Sequence, residues 1–217
     1  MGFEDRRDAG RALVALLLAR AGPATLVLAL PRGGVPVAFE VARALAAPLE
    51  VLGARKLGAP GNRELAVGAV AEGGIAVLDA RAARRCGMTQ RNLDDVLLRE
   101  RAELERQVAL FRAGRAKRDM DGANAIVVDD GLATGLTALA AVRAARAAAA
   151  ASVIVAVPVG APQALAMLER EADAVISETT PRRLRAVGLF YRDFAPVTDE
   201  EVGSLLREAA AELEVAR

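Results

Sequence analysis

Short apolar runs alternate with helix-length segments along most of this chain of 217 residues. The runs at 25–30, 125–129 and 153–157 are apolar almost throughout and do not alternate apolar with polar residues, which is typical of strands buried on both faces. A strand that is followed by a helix and then by another such strand favours a parallel sheet covered by helices. The order of the segments therefore predicts an α/β fold, with helices on both faces of a mostly parallel sheet.

The individual elements follow from the same pattern. Strands are predicted at 25–30, 50–54, 75–78, 125–129, 153–157 and 174–177, and helices at 35–45, 92–117, 136–150, 163–170 and from 198 to about 214. Thr198 and Glu201 form a capping box that begins the last helix, and the glycine and proline at 58–62 predict a mobile loop. A single domain is predicted, with a core at about 24–180, a helical insert at about 82–118, and a small hood with the closing helix at about 178–217.

Two apolar stretches have the length of export or membrane signals, but both are interpreted as parts of the folded domain. The stretch 12–19 follows three acidic residues within the first eight, which interrupt the basic lead of an export signal. The uncharged run 147–168 contains two prolines and a glycine, which predicts a buried strand between two helices rather than a membrane span. We therefore expect no membrane association.

The composition restricts the chemistry that is available. The chain has no histidine, which excludes Ser-His-Asp hydrolysis, zinc held by histidine and acid–base catalysis by imidazole. Cys86 is the only cysteine, so no internal disulfide can form, and a reducing cytoplasm is predicted. Lysine and arginine number 29 against 28 acidic residues, which argues against a nucleic acid partner and favours a small, locally charged ligand.

The strongest functional signal lies at 126–137, which reads Ile-Val-Val-Asp-Asp-Gly-Leu-Ala-Thr-Gly-Leu-Thr. A buried strand ends here in Asp129 and Asp130, and a turn of small residues leads into a helix. Backbone amides at the helix start, with the hydroxyls of Thr134 and Thr137, would form a cradle for a phosphate. The paired carboxylates suit the vicinal hydroxyls of a sugar and a nearby Mg²⁺. Taken singly, each feature also fits an ordinary strand end and helix cap.

The joint spacing resembles the signature of the type I phosphoribosyltransferases, namely an apolar strand, paired acids, three residues and then Thr-Gly-x-Thr. The resemblance implies that the ligand is phosphoribosyl diphosphate, that Mg²⁺ is bound at Asp129 and Asp130, and that the protein is a homodimer, as many relatives are. It also implies that the phosphoribosyl group is held by the whole loop, through Asp129, Asp130, Gly131, Ala133, Thr134, Gly135, Leu136 and Thr137. The spacing differs from that of a Walker loop and of a dinucleotide fingerprint.

Two further segments resemble diphosphate-binding parts of the same family. Arg32, Gly33 and Gly34 follow the first predicted strand and resemble the loop that receives the diphosphate through backbone amides. Arg55 and Lys56 resemble an Arg-Lys pair that meets the diphosphate, although a solvated strand end would also explain them. The loop predicted after them resembles the flexible loop that closes over the site and excludes water.

The acceptor site is less well defined by the sequence. Ala133 stands where hypoxanthine and guanine enzymes of the family carry an acidic residue. Because alanine has no ionisable group, Ala133 cannot transfer a proton. Adenine-type enzymes place a carboxylate on the mobile loop instead, which makes Glu64 the candidate catalytic residue beside Asp129 and Asp130. Phe190 and Tyr191 are candidates for stacking on a planar base, and in the alternative interpretation their rings fill the core.

The sequence therefore predicts a transferase that moves the phosphoribosyl group to a nitrogenous base or amine and releases diphosphate. One alternative is a non-catalytic regulator of the same fold, which senses phosphoribosyl diphosphate and binds nucleic acid through the arginine-rich stretch 99–118. A second is an unrelated α/β phosphohydrolase or phosphotransferase that uses one of the paired acids as its nucleophile. That alternative leaves the Thr-Gly-x-Thr turn unexplained.

Overall fold

The computed structural model describes residues 2–59 and 61–215, apart from the side chains of Arg63 and Glu64. The strands of this part of the chain are β1 Thr25–Ala29, β2 Leu49–Val51, β3 Ala54–Ala59, β4 Asn62–Ala71, β5 Ala76–Leu78, β6 Asn124–Val128, β7 Ser152–Val159 and β8 Ala174–Thr179. The α-helices are α1 Arg6–Leu17, α2 Gly34–Ala44, α3 Ala80–Arg85, α4 Gln90–Arg112, α5 Leu136–Ala147, α6 Pro162–Leu168 and α7 Asp199–Val215.

Five strands form a wholly parallel sheet in the order β2-β1-β6-β7-β8. Every residue of β1 is buried, and so are most residues of β6 and β7, which explains why these strands are apolar on both faces. β1 pairs with β6 along its whole length, so that Ala29 lies opposite Val128. The segments that follow β1 and β6 therefore meet at the carboxyl edge of the sheet, where open α/β sheets bind ligands. The predicted fold class is confirmed.

The other three strands form a separate antiparallel sheet in the order β3-β4-β5. The loop predicted at 58–62 is instead the end of a hairpin, because Gly58 pairs with Ala66 and Ala59 pairs with Asn62; Pro60 lies outside the described residues. The strand predicted at 50–54 is also divided, with β2 in the parallel sheet and Ala54 at the start of β3. Glycine and alanine, such as Gly58, Ala59 and Gly68, conceal the strand pattern here, because their side chains are absent or small.

Helices pack on both faces of the parallel sheet. α1, α2 and α7 share one core with β1, through Leu13, Phe39, Val202 and Val27 among others. α5 packs on the other face and also contacts β4, so the two sheets share a core. The closing helix α7 packs against α2. It buries Val202, Leu205 and Leu206 in this layer.

The segment predicted as a helical insert contains the long helix α4. Thr89 precedes α4, and its side chain accepts a hydrogen bond from the backbone amide of Asn92 in a capping box; Ala113, in a left-handed conformation, follows the last residue of the helix. α4 packs along β3. The last helix begins where predicted, because the amide of Glu201 donates to Thr198 Oγ1 at 3.1 Å. Among the described residues, no helix combines the length and the apolar character needed to cross a membrane.

Candidate functional site

The paired-acid loop, residues 129–135 between β6 and α5, lies at the carboxyl edge of the parallel sheet. Asp129 Oδ1 accepts a hydrogen bond from the amide of Asp130 at 2.9 Å. The amide of Leu132 donates to the carbonyl of Val159 at 2.9 Å, which fixes the loop to the end of β7. Gly135 has a φ of 76°, a conformation that favours glycine. The loop therefore ends at the amino terminus of α5, whose first amides have no partner within the helix.

The glycine turn, residues 32–34 between β1 and α2, packs directly on the paired-acid loop. A Cβ added to Gly33 would lie 2.7 Å from Asp130 Cγ, and one added to Gly34 would lie 2.6 Å from the carbonyl oxygen of Val128 and 2.9 Å from Asp129 Cα. Each distance is shorter than an ordinary van der Waals contact. A larger residue at Gly33 would displace the Asp130 carboxylate, and one at Gly34 would push the two loops apart, because it meets main-chain atoms. The fold thus brings Gly33 and Gly34 together with both predicted acids.

The side chain of Arg32 extends to the start of α7. Its Nε lies 2.8 Å from Asp199 Oδ1, and the peptide bond between Pro31 and Arg32 is cis. Asp199 Oδ1 is buried and has no hydrogen bond of good geometry within the described chain, so this contact is an ion pair. Arg32 is exposed at the carboxyl edge, and its guanidinium is held beside α7.

Arg55 and Lys56 lie on β3, and Arg55 fastens this strand to α4. Arg55 Nε donates to Glu100 Oε2 at 2.9 Å, and Nη1 donates to Gln107 Oε1 at 2.9 Å. Burial alone would raise the pKa of Glu100, but the hydrogen bonds and charges of Arg55 and Arg99 lower this pKa below its ordinary value. Lys56 is exposed next to this ion pair. Arg55 therefore connects β3 to α4, and Lys56 is the more exposed of the two side chains.

A cleft of about 1120 Å³ joins these elements. Asp129 and Thr137 line it from the sheet and α5, Pro31 lines it from the end of β1, and Arg55 and Lys56 line it from β3. The other lining residues are Ala54, Gly58, Ala59 and Gly61 of the β3-β4 hairpin and Asn92, Asp95, Val96, Arg99, Glu100 and Gln107 of α4. The cleft therefore gathers predicted residues from separate segments of the chain, and the polar side of α4 faces them.

The two adjacent acids carry an electrostatic penalty. Burial raises the pKa of Asp129 well above its ordinary value, and the neighbouring charge of Asp130 raises it further. Burial also raises the pKa of Asp130, although the hydrogen bond and the charge of Arg6 act in the opposite direction. A cation placed at Asp129 would favour the charged carboxylates and so relieve this penalty.

Tyr191 lies against the paired-acid loop and is only 7% exposed. Its hydroxyl donates to the carbonyl oxygen of Asp130 at 2.6 Å, and its ring centroid lies 5.5 Å from that of Phe3 and 4.9 Å from that of Phe194. Burial raises the pKa of this hydroxyl. These surroundings suit a structural contact better than stacking on a base. Phe190 is partly exposed, and its role as a base-stacking residue stays a prediction.

The remaining predicted residues are divided between surface and core. Ala133 and Thr134 are exposed, whereas Leu136 is buried at the start of α5. Gly131 lies close to the segment 187–190, because an added Cβ would come within 2.6 Å of Val187 Cγ1. The backbone of Glu64 belongs to β4, but its side chain lies outside the described residues, so its catalytic role stays a prediction.

Sequence reasoning missed two residues that shape the site. Arg6 donates from Nε to Asp130 Oδ2 at 2.8 Å across a separation of 124 residues, and no local pattern marks such a partner. Glu100 did leave a signal, because it lies between Val96 and Leu104 at four-residue spacing on the buried face of α4. A charged residue on an apolar face usually has an ion-pair partner.

The fold and the site define an α/β protein with a polar ligand cleft at the carboxyl edge of a parallel sheet. The chain matches the family model described as phosphoribosyl transferase domain over residues 8–188. The chain belongs to this family.

Similar proteins agree with that assignment. Two proteins of Mycobacterium tuberculosis strains, whose names provisionally assign them to the phosphoribosyl transferases, are each 46% identical over 207 residues. The match covers 95% of this chain and 47% of each relative, so the chain spans about half the length of these curated relatives.

Solved structures show the same fold. The crystal structure of the TT1426 protein from Thermus thermophilus is 42% identical with a TM-score of 0.79, covering 96% of this chain and 99% of that chain. The AQ2163 protein of Aquifex aeolicus has a TM-score of 0.55 at 14% identity, covering 93% of this chain and 84% of that one. The second likeness concerns the fold alone.

Proposed function

We propose that the chain binds phosphoribosyl diphosphate with Mg²⁺ and transfers the phosphoribosyl group to a nitrogenous base or amine, with release of diphosphate. One observation carries the proposal. Asp129, Thr137 and Lys56 line the same cleft. The carboxylate of Asp129 would bind the sugar hydroxyls, the hydroxyl of Thr137 would bind the phosphate, and the ammonium group of Lys56 would bind the diphosphate. Family membership supports the same reaction class.

The paired-acid loop would bind the phosphoribosyl half of the ligand. Asp129 and Asp130 would accept hydrogen bonds from the ribose hydroxyls, and the exposed Thr134 would face the phosphate together with Thr137. The amides at the amino terminus of α5 would add hydrogen bonds and a favourable dipole. Gly135 supports this arrangement, because its positive φ turns the chain into α5 and its missing side chain allows close packing on Ala164 of α6.

The glycine turn and β3 would bind the leaving diphosphate. Gly33 and Gly34 bring backbone close to both acids. The amide of Gly34 already donates to the carbonyl of Leu30 at 3.0 Å, so the amides of Arg32 and Gly33 would meet the diphosphate. Lys56 would supply the nearest positive charge, and Arg55 would keep β3 in place through Glu100. Arg32 would neutralise the diphosphate from the carboxyl edge, in exchange for its ion pair with Asp199.

The reaction would break the bond between ribose C1 and a diphosphate oxygen and form a bond between C1 and the acceptor nitrogen, which then loses its proton. The acceptor must approach the face of C1 opposite the leaving group. Because β1 and β7 flank β6 on opposite sides, this approach would come from the side of β7, where the segment 187–190 contacts Gly131. Phe190 would then border the acceptor, and Glu64 is the candidate to accept the proton.

The paired acids fit a magnesium ion that the ligand helps to hold. No cluster of three or more potential metal-binding His, Cys, Asp or Glu side chains occurs in the part of the chain that the structure describes. Mg²⁺ is commonly bound by one or two carboxylates together with substrate phosphates and water. Asp129 and Asp130 would supply these two carboxylates. When bound, the ion would neutralise charge on the leaving diphosphate.

A homodimer and a cytoplasmic location are further parts of the proposal. The single Cys86, which is free, is compatible with a reducing compartment. Light scattering on the purified protein would measure its mass in solution, and a monomeric mass would remove the dimer from the proposal without affecting the reaction.

The proposal is tested by incubating the protein with Mg²⁺, phosphoribosyl diphosphate and a panel of purines, pyrimidines and simple amines, and measuring diphosphate release. Calorimetric titration measures ligand binding separately. Asp130→Asn and Thr137→Ala should each weaken binding by about 1–3 kcal/mol, the cost of losing a hydrogen bond to a charged group. Asp121→Asn is the matched control, because Asp121 is exposed before the amino end of β6. Equal affinity in all three variants would contradict the proposal.

The regulator alternative has no specific support in the described residues. Its basic face was expected on 99–118, but Arg99, Arg106 and Arg112 all form ion pairs with glutamates. Binding of phosphoribosyl diphosphate without turnover, together with strongly salt-dependent nucleic acid binding, would be the result that favours it.

A further inference from the structure

Two segments far apart in the sequence meet at Asp130, and both lie outside residues 8–188, the span matched by the family model. The segment 3–6 pairs with the segment 190–193 through backbone hydrogen bonds, from the amide of Phe3 to the carbonyl of Phe190 at 2.7 Å and from the amide of Arg192 to the carbonyl of Phe3 at 2.9 Å. The family match ends at 188 and begins at 8. This contact, which we call the terminal clamp (residues 3–6 and 190–195), is therefore a feature of this chain beyond the matched domain.

The terminal clamp places Arg6 on the carboxylate of Asp130. Arg6 Nε donates to Asp130 Oδ2 at 2.8 Å, and the two side chains are only 11% and 16% exposed. Arg6 is itself fixed on two further sides. Its Nη1 donates to the carbonyl of Ala195 at 2.8 Å, and its guanidinium carbon lies 3.8 Å from the ring centroid of Phe194, a geometry that is attractive for a cation.

The same clamp also holds the backbone of Asp130. The hydroxyl of Tyr191 donates to the carbonyl oxygen of Asp130, so one residue of the paired-acid loop is bound at both its main chain and its side chain. On the remaining side the carboxylate lies against Gly33, where an added Cβ would clash with it. The orientation of Asp130 is thus fixed by Arg6, by Tyr191 and by the glycine turn.

We propose that Arg6 is a positioning residue for Asp130, which fixes the carboxylate in the orientation that receives the ribose hydroxyls of phosphoribosyl diphosphate. This inference rests on the proposed function. Asp129 lines the cleft, whereas neither Asp130 nor Arg6 does. Arg6 contacts Asp130, which is next to Asp129 and 16% exposed, so Arg6 would act through this carboxylate and not on the ligand. Without the guanidinium, the Asp130 carboxylate would turn away from Asp129, because two adjacent carboxylates repel each other.

A double-mutant cycle between Arg6 and Asp130 tests the inference by calorimetric titration with Mg²⁺ and phosphoribosyl diphosphate. Arg6→Gln should weaken binding about tenfold or more, since it removes a charge-assisted hydrogen bond from a ligand-binding acid. In the Asp130→Asn background the same change should weaken binding by less than about twofold. Arg6→Lys should recover part of the affinity, because it restores the positive charge.

The matched control is Arg192→Gln. Arg192 forms an ion pair with Glu4 at 2.9 Å between the same two segments, but both side chains are largely exposed and neither contacts Asp130. This variant should bind within about twofold of the parent protein. Steady-state kinetics add a second readout, in which Arg6→Gln raises the KM for phosphoribosyl diphosphate and leaves the KM for the acceptor unchanged.

The outcomes separate this inference from the proposed function. The positioning role is refuted, and the proposed function stands, if the parent protein binds phosphoribosyl diphosphate and Arg6→Gln binds it equally well. The same holds if Arg6→Gln lowers the affinity as much in the Asp130→Asn background as in the parent protein. If the parent protein itself does not bind the ligand, the proposed function fails, and the inference fails with it. Should Arg6→Gln not fold, Phe194→Leu removes the ring next to the guanidinium and keeps the charge, and unchanged affinity in that folded variant would also refute the role.

Discussion

Replacing Gly34 by alanine tests how closely the glycine turn packs on the paired-acid loop. Gly34 is the first residue of α2, so alanine fits its backbone and the added methyl group alone causes the effect. That group would lie 2.6 Å from the carbonyl oxygen of Val128 and 2.9 Å from Asp129 Cα, where ordinary contacts begin at 3.4 Å. Both neighbours are main-chain atoms, so the two loops would have to separate by roughly 0.5–0.8 Å.

The expected cost follows from two opposing contributions. Overpacking a buried site typically costs about 1–3 kcal/mol, and the higher helix propensity of alanine offsets at most about 1 kcal/mol of this. Gly34→Ala should therefore lower the free energy of unfolding by about 1–2 kcal/mol, which corresponds to a Tm lower by about 2–8 °C in a chain of this size. Because Asp129 moves with the loop, binding of phosphoribosyl diphosphate should weaken in parallel.

Urea denaturation and thermal melting measure this change, and Gly22→Ala is the control. A Cβ at Gly22 meets no atom within 4 Å, so the control should stay within about 0.5 kcal/mol of the parent protein. If Gly34→Ala and Gly22→Ala are equally stable, the close approach of the two loops is not present in solution and the reasoning fails.

Three further predictions concern the charges and hydrogen bonds around the site. Burial and the charge of Asp130 raise the pKa of Asp129, so the folded state loses stability as the pH rises from the ordinary aspartate range through that raised pKa. Asp129→Asn should therefore stabilise the protein at pH 7 by about 0.5–2 kcal/mol, although it removes ligand binding. A lower Tm of this variant in calorimetry would contradict the prediction. Glu100 has a lowered pKa, so Glu100→Gln should lower the free energy of unfolding by about 1–3 kcal/mol at pH 7. This difference between the parent protein and the variant should disappear as the pH falls below about 4.5 and through the lowered pKa. A difference that stays constant with pH would exclude the ion pair with Arg55. Tyr191→Phe leaves the carbonyl of Asp130 without its partner and should cost about 1–2 kcal/mol in chemical denaturation, whereas an unchanged midpoint would show that the hydroxyl bond does not stabilise the loop.

The parallel sheet could be predicted from the sequence because its strands are buried on both faces. β1, β6 and β7 consist almost entirely of apolar residues, and a continuous apolar run between helical segments has few other interpretations. The paired-acid loop was found for a related reason. Its strand, acids, turn and helix start are adjacent in sequence, so local chemistry specifies them together.

The antiparallel hairpin could not be predicted in the same way. Its strands contain Gly58, Ala59 and Gly68, whose small side chains leave no alternation of apolar and polar residues, and the register shifts at Gly58. The neighbour of α7 could not be predicted, because an amphipathic helix shows that one face is buried but not against which element. The packing of α7 on α2 depends on the whole chain.

The partners of Asp130 illustrate a second limit. Arg6 is 124 residues away and Tyr191 is 61 residues away, and neither residue belongs to a motif. From the sequence, Tyr191 was a candidate either for stacking on a base or for filling the core, whereas the structure places its hydroxyl on the carbonyl oxygen of Asp130. Only the folded chain distinguishes a ring that meets a ligand from one that supports a loop.

The terminal clamp has a consequence for how the molecule matures during synthesis. A nascent chain that has emerged only as far as Phe190 already contains every strand and both acids, yet it lacks the phenol and the ring that secure Asp130 and Arg6. Contacts of such long sequence separation form late, because the entropy of closing the loop opposes them. On the proposed function, the ligand site would thus be completed only after residues 191–195 have emerged and packed against Asp130 and Arg6.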